Sequence, residues 1–571
     1  MKRLGNYIRP YILYICLTLL IKLLGAAAEL LIPYLMEMIL DDIVPLGDVP
    51  KLLQYGGWML LCALCCLGLN ILANRMSAVS SGQITKAIRH DLFDKLQHLS
   101  AAQMDKLTVS SAESRLTSDT YNINQLLARL QRIGVRAPIL LTGGIAMMMS
   151  MDALLALVLV ALLPVIGVVV YLVTTRSIPL YQKQQEMLDQ MVRTIQENIT
   201  GIRLIKALSK TDYERQRFHD VNTRLTQTDT KAGMLTSVSN PTSTLILNLG
   251  LTLVVLVGAY RVNGGHIQSG VIVAFLQYFT MILNAMLGIT RIFVMCSKGE
   301  ASANRVADVL DMPEDLQVQP SEGSPVEGPH IEFRDVNFSY TGIGKNIDSL
   351  SFSLERGQTL GILGPTGSGK TTIINLLLRL YDPDAGQILI DGQDIRTIPH
   401  DQLRRKFGIV FQNDFLAEGT IGDNLRFFRD ISDEQLNLAA QAAQADFIAE
   451  KGGLDGEVVV RGNNLSGGQK QRLLIGRALA DDPEILILDD SSSALDYQTD
   501  ANLRRAIRTG YGGTTTVLIA QRVSSLRHAD LILVLQDGCV IGAGNHEHLM
   551  DTCEEYRLIA RNQMGLEREG V

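Results

Sequence analysis

Residues 153–173 read ALLALVLVALLPVIGVVVYLV, without one charged side chain. The stretches 52–74, 232–260 and 271–290 are equally free of charge. About 20 consecutive apolar residues suffice to cross the hydrocarbon of a bilayer. A chain with four such runs places its first half in a membrane. Two further spans are expected although less clean. Residues 11–40 are interrupted by Lys22, Glu29 and Glu37, and residues 137–151 are short and continue a charged helical pattern. Counting both closes the topology at six spans.

Charge sets the orientation. Lys2, Arg3 and Arg9 precede the first span, and the connector DDIVPLGDVPK after it is acidic. The segment from Arg75 to Arg136, and that over 176–231, are rich in Lys and Arg. Basic segments stay cytoplasmic, so the N-terminus and both long segments are expected inside, in a multi-pass protein of the cell membrane. The turns near Asp152 and at RVNGGH (261–266) are then external. No cleavable signal peptide is expected, because the first apolar stretch is too long and no small-residue cleavage site follows it. The seven cysteines form no framework: Cys62, Cys65 and Cys66 sit inside an apolar span, and Cys539 and Cys553 lie on the reducing side. A net charge of −7 gives no footprint for nucleic acid.

Composition changes near residue 312. MPEDLQVQPSEGSPVEGPH (312–330) is rich in Pro, Gly and acid and reads as a linker. It separates a membrane domain, 1–311, from a soluble domain, 331–571. In the latter, short apolar runs alternate with helical patterns, as in an α/β domain with a largely parallel sheet. The cytoplasmic segments of the first half lack helix breakers, so the spans are expected to project roughly 40 Å as helices at about 1.5 Å per residue. The turns at their ends, near 102–110 and 208–217, are where a soluble domain would grip them.

The run TLGIL is followed by GPTGSGKTT and then by the helical IINLLLRL. In this loop Gly364, Pro365, Thr366, Gly367, Ser368 and Gly369 lead into Lys370, Thr371 and Thr372. Glycines let such a loop wrap phosphates with backbone N–H groups pointing inward, and the following helix adds its dipole. Lys370 is placed to reach β- and γ-phosphates, and Thr371 to offer a hydroxyl to Mg²⁺. ILILDD, a buried-strand pattern, delivers Asp489 as the carboxylate for that ion, bound directly or through water. Gln412, after the apolar IVF, is a third candidate ligand, and Tyr340, on an expected edge strand, is a candidate to stack on adenine. LSGGQ, comprising Leu465, Ser466, Gly467, Gly468 and Gln469, opens an uninterrupted helix but has no P-loop lysine. It reads as the completion of a nucleotide site built mainly by another copy of the fold.

In this order, the P-loop, Gln412, LSGGQ, ILILDD and SALD (Ser493, Ala494, Leu495 and Asp496) resemble the ATPase domain of an ATP-binding-cassette (ABC) transporter. With six spans ahead of it, nearly the whole chain is similar to a half-size exporter. FRDVNFSY, GTIGDNL (419–425) and GIRLIKALSKTDYERQRF (201–218) are also typical of that group. The resemblance implies Mg²⁺ and ATP held between one chain's P-loop and the other's LSGGQ. It also implies coupling helices at the turns near 102–110 and 208–217. An importer is disfavoured, because importers usually carry separate membrane subunits. The membrane domain begins at the first residues, which is expected to leave no room for a fused leader-peptide protease.

The departures from the family pattern are specific. Asp490 stands where the family has a catalytic Glu, Gln521 where it has the switch-loop His, and Val460 where it has an acid before the signature. A general base contributes ~10²–10⁴-fold, and a misplacement of about 1 Å costs ~10²-fold. Glutamine cannot relay a proton as imidazole does. Asp490 and Gln521 fall on the site that holds this chain's own P-loop, whereas LSGGQ, which serves the opposite site, is intact. The chain therefore resembles the degenerate-site subunit of heterodimeric bacterial multidrug-type exporters. It is expected to work with a different second chain that carries the Glu and the His, and to move an amphiphile such as a drug, lipid or peptide. A slow homodimeric exporter and an ATP-gated channel or sensor are the alternatives. Lys22 and Glu29 share one helix face, as do Asn284 and Arg291, and these four are the candidate cavity-lining residues.

Overall fold

The computed structural model describes residues 2–320, 328–491 and 493–564. The chain divides into two compact units: Met1–Gln97 with Ser110–Met312, and His98–Val109 with Pro313–Val571.

The first unit is helical. Its principal helices are Ile12–Met38, Val49–Gln97, Arg136–Met151, Ala153–Thr200, Ser239–Asn263 and Ser269–Leu310. Among the described residues, five helical bodies are long and apolar enough to cross a membrane: Gly5–Ile43, Val49–Gln97, Val109–Met151, Thr244–Asn263 and Ser269–Met286. A shorter apolar body, Ala153–Val169, opens the helix that carries the remaining expected span. Apolar exterior is what lipid requires of such helices, and Leu13, Leu53, Leu60 and Leu256 are accordingly exposed. The 49-residue helix Val49–Gln97 spans roughly 73 Å, far beyond a bilayer core of about 30 Å.

The stretch 232–260 differs from expectation: it is not one helix. Thr211–Ser237 ends there and Ser239–Asn263 begins, with Pro241 in the new first turn, where its missing N–H costs no hydrogen bond. Polar residues fasten the helix ends. Asp41, in the acidic first connector, is buried and accepts the backbone N–H groups of Gly270 (2.5 Å) and Val271 (3.1 Å). Its charge there complements the helix dipole. Asp152 caps the helix Ala153–Thr200 through Leu155 N (2.8 Å) and pairs with Arg261. Tyr278, buried in the unit's apolar core, donates its hydroxyl to Leu30 O at 2.7 Å.

The second unit contains β1 (Ile331–Phe338), β2 (Ile347–Leu354), β3 (Thr359–Leu363), β4 (Ala385–Ile390), β5 (Gln393–Asp394), β6 (Phe407–Val410), β7 (Gly419–Thr420), β8 (Glu457–Val458), β9 (Ile485–Asp489), β10 (Thr515–Ile519), β11 (Leu531–Gln536) and β12 (Cys539–Gly544). The main sheet has the order β12-β11-β3-β10-β9-β6 and is parallel except for β12. β9 and β10 are buried along their whole length, which is why they read as unbroken apolar runs. A second sheet, β2-β1-β4-β5, is antiparallel, an element the expectation of one largely parallel sheet omitted. β1 is paired on both sides in it, so the edge-strand placement given to Tyr340 is corrected: β1 is interior and Tyr340 follows its end.

The helix Ala101–Leu107 belongs to the second unit. A Ser100–Gln103 capping box starts it, Gln103 donates to Pro313 O at 2.9 Å, and Tyr381 donates its hydroxyl to Asp105. The expected linker also packs on this unit in its first part: Arg379 donates to Gln317 O at 2.6 Å and Arg404 to Asp315 at 3.1 Å. At the other turn the structure places a short helix, Ile202–Ala207, ahead of 208–217, and Ser209 takes a left-handed backbone (φ 52°) between it and Thr211–Ser237. All seven cysteines are free thiols.

Candidate nucleotide site

β3 ends in the loop 364–369, and the helix Lys370–Leu377 starts at once. Gly367 (φ 86°) and Gly369 (φ 100°) hold left-handed backbone, and a Cβ on Gly369 would lie 2.8 Å from Asn346 O. Only glycine fits that position. Ser368 is buried and its hydroxyl has no partner within the protein. Lys370 Nζ rests on the loop carbonyls Gly364 O (2.8 Å) and Pro365 O (2.7 Å). Burial lowers its pKa, while Asp489 and Asp490 oppose that shift. An orphaned hydroxyl, a lysine at the mouth and a helix N-terminus behind glycines form a cradle that fits a triphosphate. Pro365, Thr366 and Thr372 complete the loop and first turn, with Thr372 buried.

β9 brings Asp489 to this loop. Thr371 Oγ1 donates to Asp489 Oδ2 at 3.1 Å, and Asp489 is buried. Its pKa is raised, mainly by burial, with Asp490 adding to it and the Thr371 hydrogen bond opposing it. Two neighbouring oxygen ligands suit a hard cation such as Mg²⁺, which would shield phosphate charge and counteract that shift by favouring the ionised carboxylate. Gln412 follows the neighbouring edge strand β6 and is exposed.

Asp490 has a left-handed backbone (φ 49°), and its Oδ2 accepts Gln521 Nε2 at 2.9 Å. The parallel register that sets Ile519 beside Asp489 makes this contact possible. Burial raises the Asp490 pKa, and the Gln521 amide opposes it. The switch loop is held from behind: Gln563 donates to Gln521 O (2.8 Å) and accepts Val523 N (2.7 Å). Tyr340 is half-exposed; its hydroxyl accepts Asn375 Nδ2 at 3.0 Å, and its ring stands edge-on to Phe338 and Tyr381.

LSGGQ opens the helix Gly467–Leu479 through a capping box: Gln469 N donates to Ser466 Oγ (3.3 Å) and Ser466 N to Gln469 Oε1 (2.9 Å). Leu465 is buried beneath it, and a Cβ on Gly468 would lie 3.1 Å from Ala494 O. Gln471, one helical step further, donates to Ser493 Oγ (3.1 Å) and accepts Ala494 N (3.0 Å), while Ser493 Oγ donates to Asp490 O (3.0 Å). Leu495 is buried and Asp496 caps the next helix through Thr499 N. Val460 is exposed beside Arg461, whose backbone is left-handed (φ 58°). Gln471 and Gln563 escaped the sequence reading because each acts by reaching a loop remote in sequence.

In the first unit, Lys22, Glu29 and Asn284 line one cavity of about 360 Å³. The side chain of Arg291 lies outside the described residues. Arg132 and Arg136 line the same cavity. In the sequence they serve only as orientation charges; Arg132 ends the helix Thr120–Arg132 and Arg136 opens Arg136–Met151, so it is the turn between two helices that brings both to the cavity.

Residues 15–286 match the family model for the ABC transporter transmembrane region, and residues 347–493 match the ABC transporter model. The "Uncharacterized ABC transporter ATP-binding protein YfiB" of Bacillus subtilis (strain 168) is 34% identical, over 100% of this chain and 99% of that protein. A "Fatty acid ABC transporter ATP-binding/permease protein" of Mycobacterium tuberculosis (strain CDC 1551 / Oshkosh) is 34% identical over 81% of this chain and 74% of its own. A solved bacterial Atm1-family ABC exporter with ATP bound superimposes with a TM-score of 0.81 at 27% identity, covering 97% of this chain and 99% of that one. The chain belongs to the ABC transporter family and is a membrane-embedded half-size exporter subunit, whose fused cytoplasmic ATPase domain hydrolyses ATP coupled to transport.

Proposed function

We propose that this chain is the weak-site half of a heterodimeric exporter that moves an amphiphile out of the cytoplasm. The observation that carries this reading is the Gln521–Asp490 hydrogen bond at 2.9 Å. The carboxylate in the general-base position is shorter than glutamate and is engaged by an amide that cannot relay a proton. The same chain keeps an intact phosphate cradle and a fully capped LSGGQ helix. It therefore binds Mg²⁺–ATP at Lys370, Thr371 and Asp489, hydrolyses it slowly there, and supplies Ser466 to Gln469 to a competent site on its partner.

The chain works as a membrane domain to 311, a linker over 312–330 and a nucleotide-binding domain from 331. The turns near 102–110 and 208–217 serve as coupling helices. Ile202, Leu204, Leu208 and Tyr213 are exposed around the second turn, which suits docking on another chain. ATP that contacts both ATPase domains favours their closed arrangement, and hydrolysis at the partner's site reopens them. The amphiphile reading is supported by a cavity that mixes charged and apolar walls, and by the fatty acid in the printed name of one relative.

The test is phosphate release from the purified heterodimer after the partner's catalytic glutamate is replaced by glutamine. Turnover is expected to fall by ~10²-fold or more. Substantial residual hydrolysis overturns the asymmetric scheme.

A further inference from the structure

We infer that the cavity of the first unit is an anion subsite, which takes the carboxylate or phosphate headgroup of the exported amphiphile. This deepens the substrate part of the function proposed above and rests on it.

Three cations, Lys22, Arg132 and Arg136, line the cavity, against one acid among its described lining residues, Glu29. Glu29 is already committed: Arg136 grips both its oxygens, Nη2 to Oε1 at 2.6 Å and Nε to Oε2 at 3.1 Å. Lys22 is buried, and its ammonium is held by neutral groups, Asn70 Oδ1 at 2.7 Å and Asn74 Oδ1 at 3.2 Å. Arg132 donates one Nη2 hydrogen to Asn74 O at 3.3 Å, and its buried Nε has no partner. No described carboxylate pairs with Lys22 or Arg132. A buried ammonium held only by neutral groups and a buried guanidinium N–H without a partner are costly to leave uncompensated, and a ligand anion compensates both. The lining also includes the apolar Leu140 and Met281, which suit the start of an alkyl chain. A volume of about 360 Å³ falls in the range of small-ligand sites.

The experiment is equilibrium displacement of radiolabelled laurate from the purified transporter in nanodiscs. Dodecyl phosphate, dodecanol and dodecyltrimethylammonium are the competitors. Laurate is expected to bind saturably, with dodecyl phosphate a comparable competitor and the alcohol and the ammonium about tenfold weaker or worse. Arg132→Gln and Lys22→Gln are each expected to weaken laurate by about tenfold, and Arg132→Lys to restore most of the affinity. Asn284→Asp, which adds a carboxylate to the lining, keeps the test available if a cation deletion fails to fold: it is expected to weaken laurate and strengthen the ammonium. Absence of saturable laurate binding, equal displacement by the ammonium, or indifference to Arg132→Gln and Asn284→Asp overturns the assignment. ATP-driven accumulation in inside-out vesicles separates the two levels. Accumulation of the ammonium but not laurate sinks the anion subsite alone, whereas failure to accumulate any amphiphile of the set sinks the substrate reading beneath it.

Discussion

Gln521 Nε2 lies 2.9 Å from Asp490 Oδ2, so two of the three residues that depart from the family pattern are hydrogen-bonded partners. The pair keeps a polar contact across the switch loop, with a carboxylate one methylene shorter than glutamate and an amide that cannot relay a proton as imidazole does. Under the function proposed above, a phosphate cradle beside such a pair is expected to keep its grip on nucleotide and to lose rate.

The pair should act as a unit. Asp490→Glu together with Gln521→His is expected to raise hydrolysis at this chain's own P-loop by ~10²-fold, with either change alone giving much less. Single-turnover phosphate release, with the partner's site disabled, reads the effect directly.

Ser466 holds the signature helix by its capping box, and loss of such a cap costs about 1 kcal/mol. Ser466→Ala is expected to depress hydrolysis at the partner's site while ATP photocrosslinking at Lys370's loop persists. Equal loss of both signals would place Ser466 in general folding rather than in the opposite site.

Tyr381 donates its hydroxyl to Asp105 and thereby ties the helix Ala101–Leu107 to the ATPase unit. Burial first, and then Asp105, raise the tyrosine pKa, so the hydroxyl stays protonated and donating throughout the physiological range. Tyr381→Phe removes a hydrogen bond to a charged group, worth about 1.5–3 kcal/mol. Amide exchange over 101–107 is expected to accelerate by about tenfold or more, measurable by mass spectrometry.

His330 is buried ahead of β1, with Nδ1 2.6 Å from Thr515 Oγ1. Thr515 Oγ1 accepts Gly357 N at 3.0 Å and so has its proton free for the imidazole, which leaves the ring proton on Nε2. Burial lowers the His330 pKa, and Arg356 and Lys406 act in the same direction, against Asp391 and Glu484. The unfolded chain therefore takes up a proton below about pH 6.5 that the folded chain refuses. Stability from this residue is fully present above that pH and is lost as pH falls toward the lowered folded value. The thermal midpoint is expected to drop between pH 7.5 and 5.5, and His330→Gln to flatten that dependence.

Much of the site was legible in advance because its parts are local. The P-loop's glycines declare their left-handed backbone, β9 declares its burial by an unbroken apolar run, and Ser466 with Gln469 spells a capping box three residues apart. The break at Val238 inside an uncharged stretch was missed, because hydropathy does not register where a proline resets a helix.

What the sequence settled by itself was the membrane-embedded first half, the phosphate cradle and the order of motifs along the ATPase domain, since each follows from spacing and side-chain type within one segment. Tertiary structure alone decided that Gln521 meets Asp490, that Gln471 ties the signature helix to Ser493, that residues 101–107 pack with the second unit, and that Arg132 and Arg136 share a cavity with Lys22 and Glu29. The reason is physical. Such partners are joined by strand order and helix packing, which bring together residues from distant parts of the chain, and no periodicity within one segment encodes what it will face.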